Sequence, residues 1–345
     1  MPVKVLVTGA NSTVAQSIIK ALRASSLELT IAACDINPFS PGLYRVDEAF
    51  LVRRYDDPDY EAEMLDLLRD QRVDVLLPAM EKELQVLAER RARWEEATGT
   101  RIVVNTRSTL DITQDKYATA QHLAASGCSA PASSIDVSEA GIIAFAARVP
   151  FPWIIKPRRG STSRHVHLVH SLDEARMRIA EVPGPVLQEH LGTPEEEYTC
   201  GVFVDAEGVL RGVATLRREM ANGITGTAIV QSVPDVEDEV RRVVAALGLS
   251  GSCNVQLRRN REGRPTTFEV NARFSSSVAI RAHFGFNEAE ATIRSFVLGE
   301  PIGTLRCRPG VAMRYVNEVY AEPEEVQALI ARRQHAPRSR VEANF

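Results

Sequence analysis

Gln256, Glu269, Asn271 and Arg273 are the residues of this 345-residue chain whose types and spacing speak most directly of chemistry. They fall on two short alternating runs, 253–257 and 267–273, joined by the polar segment 260–265 with Gly263 and Pro265. Alternating runs about a Gly/Pro turn predict a β-hairpin. Successive strand side chains point to opposite faces, so Glu269, Asn271 and Arg273 share one side and Gln256 can face them across the pair. One carboxylate, two amide oxygens and a guanidinium suit a Mg²⁺ ion held against phosphate, since Mg²⁺ takes a few protein oxygens and leaves the rest to phosphate and water. Taken alone, the same face also reads as a solvated strand surface, because short motifs recur by chance.

Cationic counterparts lie upstream. Lys116 follows Asp115 in a segment predicted as one helix over 109–126, and Lys156 ends an apolar strand predicted over 151–157. The basic loop 158–164, with Gly160 and Ser161, then leads into a strand at 165–169. A strand, a small-residue basic loop and a second strand make a flap that can lie over phosphates, with backbone N–H groups, hydroxyls and cations facing the anion. The loop is not a Walker A motif, and by itself it also reads as a surface basic loop.

The elements that must position these groups begin at the N-terminus. A strand at 3–7, a turn at 8–13, a helix at 14–23 and a strand at 29–34 ending in Asp35 form a βαβ pattern. The dinucleotide fingerprint is incomplete, since Gly9 is followed by Asn11 and Val14 where glycines belong. A nicotinamide-dependent oxidoreductase is therefore the alternative from another class. Helices at 61–71 and 81–97 and strands at 73–78 and 101–105 extend the pattern, so 1–108 reads as a parallel sheet with helices on both faces. Glu81 and Glu83 follow a strand's carboxyl end, where open α/β sheets place ligands; they are equally suited to the first turn of a helix.

Beyond residue 109 the pattern turns to short strands. Helices are expected at 171–180, 236–247, 288–298 and 323–333, and strands at 186–191, 195–204, 209–216 and 310–316. Residues 217–226 read as a polar, mobile loop. The net charge of −4 carries no nucleic-acid footprint, and no apolar run reaches the length of a membrane span. The N-terminus enters a strand without a signal-peptide pattern. Five scattered cysteines form no CxxC pair, so a reduced, cytoplasmic protein without structural zinc is expected.

Set in order, these motifs resemble the ATP-grasp superfamily, most closely the synthetase units of the carbamoyl-phosphate synthetase large subunit and similar stand-alone ligases. The resemblance covers nearly the whole chain and implies an α/β and α+β architecture. A Rossmann-like pre-ATP-grasp domain at 1–108 would precede a two-subdomain ATP-grasp fold. That fold divides into 109–187 with the phosphate flap and 188–305 with the metal site, followed by an extension at 306–345. It implies that Lys116 and Lys156 contact phosphates, that Gly160 and Ser161 belong to the flap, and that Gln188, Glu189 and Leu191 line the adenine. Glu197 would hold the ribose hydroxyls, and Gln256, Glu269 and Asn271 would bind Mg²⁺, with Mn²⁺ as a substitute. Catalytic roles fall to Lys156, Arg218 and Arg273, and substrate contacts to Glu83, Arg218, Arg273 and Arg281.

The implied reaction is ATP-dependent ligation of a carboxylate to an amine through an acyl phosphate, releasing ADP and phosphate. A carbamoyl-phosphate-type or kinase-like enzyme that phosphorylates a small carboxylate is the alternative within the family. Phosphoryl transfer asks the protein mainly for alignment, metal ions and cations on the developing charge. Small-molecule substrates, no nucleic acid, no membrane and a homodimeric assembly complete the expectation.

Overall fold

The computed structural model of the chain describes residues 2–160, 165–221 and 223–337. Its N-terminal part alternates strand and helix: β1 (Val3–Thr8), α1 (Thr13–Arg23), β2 (Leu29–Asp35), β3 (Glu48–Leu51), α2 (Tyr60–Asp70), β4 (Val75–Leu77), α3 (Glu81–Thr98) and β5 (Arg101–Ile102). β1 pairs in parallel with β2 on one side and β4 on the other, so the strand order reverses between β1 and β4. Their middles are fully buried Val, Leu, Ile and Ala, as a sheet covered on both faces requires.

The middle of the chain builds a second, four-stranded antiparallel sheet. Here the expected single helix at 109–126 is two, α4 (Arg107–Thr113) and α5 (Lys116–Ala125). Asp115 causes the break: its carboxylate accepts from the N–H groups of Tyr117 and Ala118, capping α5 and placing Lys116 at its first position. β6 (Ser133–Ser134), α6 (Glu139–Ala146), β7 (Trp153–Pro157), β8 (His167–Val169), α7 (Leu172–Glu181) and β9 (Pro185–Glu189) follow. β9 lies between β6 and β7, so a boundary at 187/188 would cut a strand that belongs wholly to this sheet.

The third sheet has six strands. It takes β10 (Glu197–Val204), β11 (Leu210–Ala221), β12 (Ile224–Val230), then, after α8 (Pro234–Leu247), the hairpin β13 (Gly251–Arg259) and β14 (Pro265–Asn271). The loop expected at 217–226 is instead the continuation of β11 and the start of β12, paired from Leu216↔Val230 to Ala221↔Ile224. Two helices, α9 (Val278–His283) and α10 (Glu288–Phe296), cross the face of this sheet that carries Ser252 and Asn254: Arg281 of α9 reaches Asn254 Oδ1, and Glu288 of α10 accepts from Ser252 Oγ. Residues 306 onward return to both larger sheets: β15 (Gly310–Met313) pairs with β12, and after α11 (Pro323–Arg332) β16 (Gln334–His335) pairs with β3. Leu329 of α11 is buried in the N-terminal core. Among the described residues no helix is long and apolar enough to cross a membrane.

Candidate active site

The hairpin register brings the acidic side together. Gln256 lies opposite Glu269, and Asn254 opposite Asn271. Glu269 Oε1 accepts from Gln256 Nε2 at 3.0 Å and from Asn271 Nδ2 at 2.9 Å. All three are oxygen-bearing and hard, which fits Mg²⁺, and one carboxylate leaves charge for phosphates to supply. To ligate, both amides would turn their oxygens toward the ion, since here each donates N–H to Glu269. Among the described residues no group of three His, Cys, Asp or Glu side chains could hold a metal, so a site for one here rests on this mixed carboxylate and amide set.

The lysines converge on the same place. One cavity is lined by Glu81, Lys116, Gly160, Glu269, Asn271 and Arg273. Lys116 Nζ donates to Gly160 O at 2.6 Å. Its backbone N–H donates to Arg158 O at 3.0 Å, while Arg158 Nε reaches the buried Asp115 carboxylate at 2.8 Å. Asp115 thus fastens the start of α5 to the end of the Lys156 strand. Burial raises the Asp115 pKa, but the Arg158 hydrogen bond and the α5 amides outweigh it and hold the carboxyl below its usual range.

Lys156 is 7% exposed, with Nζ 5.7 Å from the centre of the Phe268 ring. Desolvation lowers its pKa to about 8; Glu269 pulls it up, and Lys116 and Arg258 push it down. A cation at this position is poised to lose its proton within a working pH range. ADP·Mg²⁺ affinity is therefore expected to fall as pH rises through about 8, because only charged Lys156 attracts phosphate. The unfolded chain keeps this proton to higher pH, so the lysine's contribution to stability grows between pH 8 and 10.5 as affinity declines. Titrations at neutral and alkaline pH check this. Lys156→Arg should flatten the dependence, and a pH-independent wild-type affinity would remove Lys156 from the phosphates.

Four expected residues are engaged by other side chains in the packing. Glu197 was expected to hold ribose, but its carboxylate is buried between two arginines. Arg218 Nε and Nη2 donate to Oε1 at 2.8 and 2.5 Å, and Arg258 Nε and Nη2 donate to Oε2 at 2.9 and 2.7 Å. That fills the roughly four acceptor positions of a carboxylate. Arg218, expected as a substrate arginine, also donates to Gln256 Oε1 at 2.7 Å, and so ties Glu197 to the face that carries Gln256 and Glu269. Arg258 was missed; its signal is its two-residue spacing from Gln256 along one strand face.

Arg281, expected at the substrate, is fully buried. It runs beneath β10, where a Cβ added to Gly201 would lie 2.1 Å from its Nε, and it pairs with the equally buried Glu288 at 2.9 Å. Glu83, expected at the acceptor, is 5% exposed and accepts from Thr8 Oγ1 and Tyr60 Oη. Burial pushes its carboxyl up, and those two hydrogen bonds pull it back only in part. Two residues of helix turn the side chain about 200°, so Glu81, not Glu83, faces the cavity, 3.7 Å from Arg273 Nη2.

Arg273 is mostly buried; its Nη1 donates to Phe274 O and its Nε has no partner. The remaining expected residues lie on β9 and just past it. Gln188 is buried and donates to Ser133 Oγ, Glu189 accepts from Ala132 N–H, and Leu191 is buried just after β9. Ser161 lies outside the described residues. At the N-terminal turn a Cβ on Gly9 would lie 2.3 Å from Met80 Cγ, and the Asp35 carboxylate accepts from the N–H groups of Asn11 and Asn37.

Residues 3–103 match the family described as PylC-like, N-terminal domain, and residues 113–277 match the ATP-grasp domain. A curated relative, the carbamoyl phosphate synthase large chain of Pseudomonas syringae pv. tomato, is 24% identical over 201 residues. The match takes in 54% of this chain but 19% of that relative, so the chain spans about a fifth of its length. Among solved structures, N5-carboxyaminoimidazole synthetase from Staphylococcus aureus complexed with ADP aligns with a TM-score of 0.71 at 16% identity, covering 96% of this chain and 86% of that one. An L-amino acid ligase from Bacillus licheniformis aligns at 0.63 with 16% identity, covering 86% and 74%.

Proposed function

We propose that this chain, whose residues 113–277 match the ATP-grasp domain, is an ATP-dependent ligase that joins a carboxylate to an amine through an acyl phosphate. The observation that carries this reading is one cavity in which Lys116, Glu269, Asn271 and Arg273 meet, with Lys156 close enough to feel both Glu269 and Lys116. ATP would lie between the sheet of β6–β9 and the sheet of β10–β14, its adenine at the 188–191 connection and its phosphates toward the lysines. Bound Mg²⁺, held by Glu269 and Asn271 with Gln256 beside them, would neutralise charge on the transferring phosphoryl group.

This chain's own groups account for the rest. Lys116 and Lys156 offer positive charge to the phosphates. Arg273 lines the cavity, and its fork suits the carboxylate to be activated. Glu81, beside Arg273 at the head of α3, is placed to attract the ammonium of the incoming amine. The Arg218–Glu197–Arg258 clamp fixes β10 against β11 and β13, so Gln256 is positioned rather than free. The cleft must exclude water, since an acyl phosphate would otherwise hydrolyse.

The test is ADP release from ATP·Mg²⁺ with panels of carboxylates and amines. The proposal requires ADP formation that depends on a carboxylate and rises with an amine, with the amide as product. The match to a carbamoyl phosphate synthase chain favours one second reading, in which a small acid is phosphorylated and released. In that case ADP forms without an amine and product analysis finds the acyl phosphate. Absence of acid-dependent ADP formation across the panels would oppose both.

A further inference from the structure

The three polar residues of the β13–β14 hairpin do not stand alike. Among the described residues that line the cavity are Glu269 and Asn271, but not Gln256. β14 is the outer strand of its sheet, and Gln256 sits on the next one, β13. Its amide lies between two charged groups. Arg218 of β11 reaches over β10 and donates to Gln256 Oε1 at 2.7 Å, while Gln256 Nε2 donates to Glu269 Oε1 at 3.0 Å. A guanidinium only donates and a carboxylate only accepts, so these neighbours fix which end of the amide is oxygen. Turned over, it would set N–H against the guanidinium and oxygen against the carboxylate.

Other oxygens of the hairpin are unengaged. Glu269 takes both amides, Gln256 Nε2 and Asn271 Nδ2, on its Oε1. Among the described residues neither Glu269 Oε2 nor Asn271 Oδ1 accepts a hydrogen bond. Turning Asn271 toward an ion gives up one hydrogen bond. Turning Gln256 gives up two and sets a divalent cation against Arg218, a like charge. Arg218 is not free to withdraw, because Glu197 holds its Nε and Nη2. The strand ladder also slips directly after the Gln256–Glu269 pair: Leu257 faces Thr267, which leaves Phe268 as the extra residue. A bulge of this kind re-aims the side chains beside it, here Glu269.

We propose that Gln256 is a positioning residue and not a metal ligand. It carries the Arg218–Glu197–Arg258 clamp through to Glu269 Oε1 and leaves Oε2 to the cation. Protein ligation then comes from Glu269 and Asn271 alone. The site takes a single divalent ion, whose other positions fall to phosphate and water. Hydrogen-bond partners of a ligating group fix its orientation, and losing one typically weakens metal binding about 10–100-fold. The proposal rests on the ligase reading of the cavity.

Mn²⁺ binding to the ADP-loaded chain, counted by electron paramagnetic resonance, tests it in a double-variant cycle. Wild type should hold a single Mn²⁺. Gln256→Met, close in length but without the amide, should weaken that binding about 10–100-fold. Gln256→Asn keeps the amide but not its reach, and as a second variant should behave alike. In a Glu269→Ala background no carboxylate is left to orient, so adding Gln256→Met should change the remaining affinity by less than about twofold. ADP affinity measured in a chelator should be the same in wild type and Gln256→Met. Losses that multiply in the double variant would make Gln256 a ligand in its own right and overturn the proposal. Wild-type Mn²⁺ binding in both Gln256 variants, or a second bound Mn²⁺ that Gln256→Met alone removes, would do the same. A wild-type chain that binds no ADP·Mn²⁺ would sink the ligase reading and this proposal together, whereas multiplied losses sink only the proposal.

Discussion

Glu269→Gln is expected to abolish acid-dependent ADP formation while the protein stays folded. The side chain is partly exposed on β14 and the amide is nearly isosteric, so the hairpin should persist. What disappears is the one carboxylate between Gln256 and Asn271, the acceptor of both amide N–H groups. It is also the negative charge that acts most strongly on Lys156. Removing a preorganised group of this kind typically costs about 10²–10³-fold in kcat, and losing metal-bound charge costs at least as much. A coupled ADP assay beside a thermal melt separates the two effects. Turnover within about twofold of wild type would remove the metal assignment, whereas loss of the melting transition would mean that Glu269 is structural.

The second large effect concerns stability. Arg281 and Glu288 are both fully buried, and Glu288 also accepts from Ser252 Oγ at 3.0 Å. Glu288→Gln leaves a guanidinium in the interior without its counter-charge, a change that typically costs about 3–5 kcal/mol. Urea unfolding should show the loss as a lower midpoint with little change in slope. The double variant Arg281→Met with Glu288→Leu should recover much of it, because no charge then remains uncompensated. A single-variant loss below about 1 kcal/mol would contradict the buried-pair description.

The contrast between these residues shows what the sequence made legible. The β13–β14 hairpin could be read because strand parity alone decides which side chains share a face, and the register then pairs Gln256 with Glu269. Lys116 and Lys156 could be read as cations at element ends, although Asp115 as a cap between two short helices could not. Residues 217–221 resisted for a physical reason. The far half of β11 extends past the core, so its side chains grade from intermediate to exposed and the buried-face alternation fades. Strands β3, β6 and β16 are two to four residues long, too short to carry a period.

Partnering is a separate limit. Arg218, Arg281 and Glu197 have the composition of ligand-binding residues, but whether such a group faces a ligand or a counter-ion depends on contacts distant in sequence. Glu197 is 21 residues from Arg218 and 61 from Arg258. Glu81 and Glu83 were indistinguishable by composition; helix geometry sends one to the cleft and the other to Thr8 and Tyr60.

The most direct test of the central claim is a crystal structure of the chain with Mg²⁺ and a non-hydrolysable ATP analogue. The account predicts triphosphate oxygens within contact distance of both Lys116 Nζ and Lys156 Nζ, with metal density against Glu269 and Asn271. An analogue bound at the β1–α1 turn, or phosphates remote from either lysine or from Glu269, would contradict it.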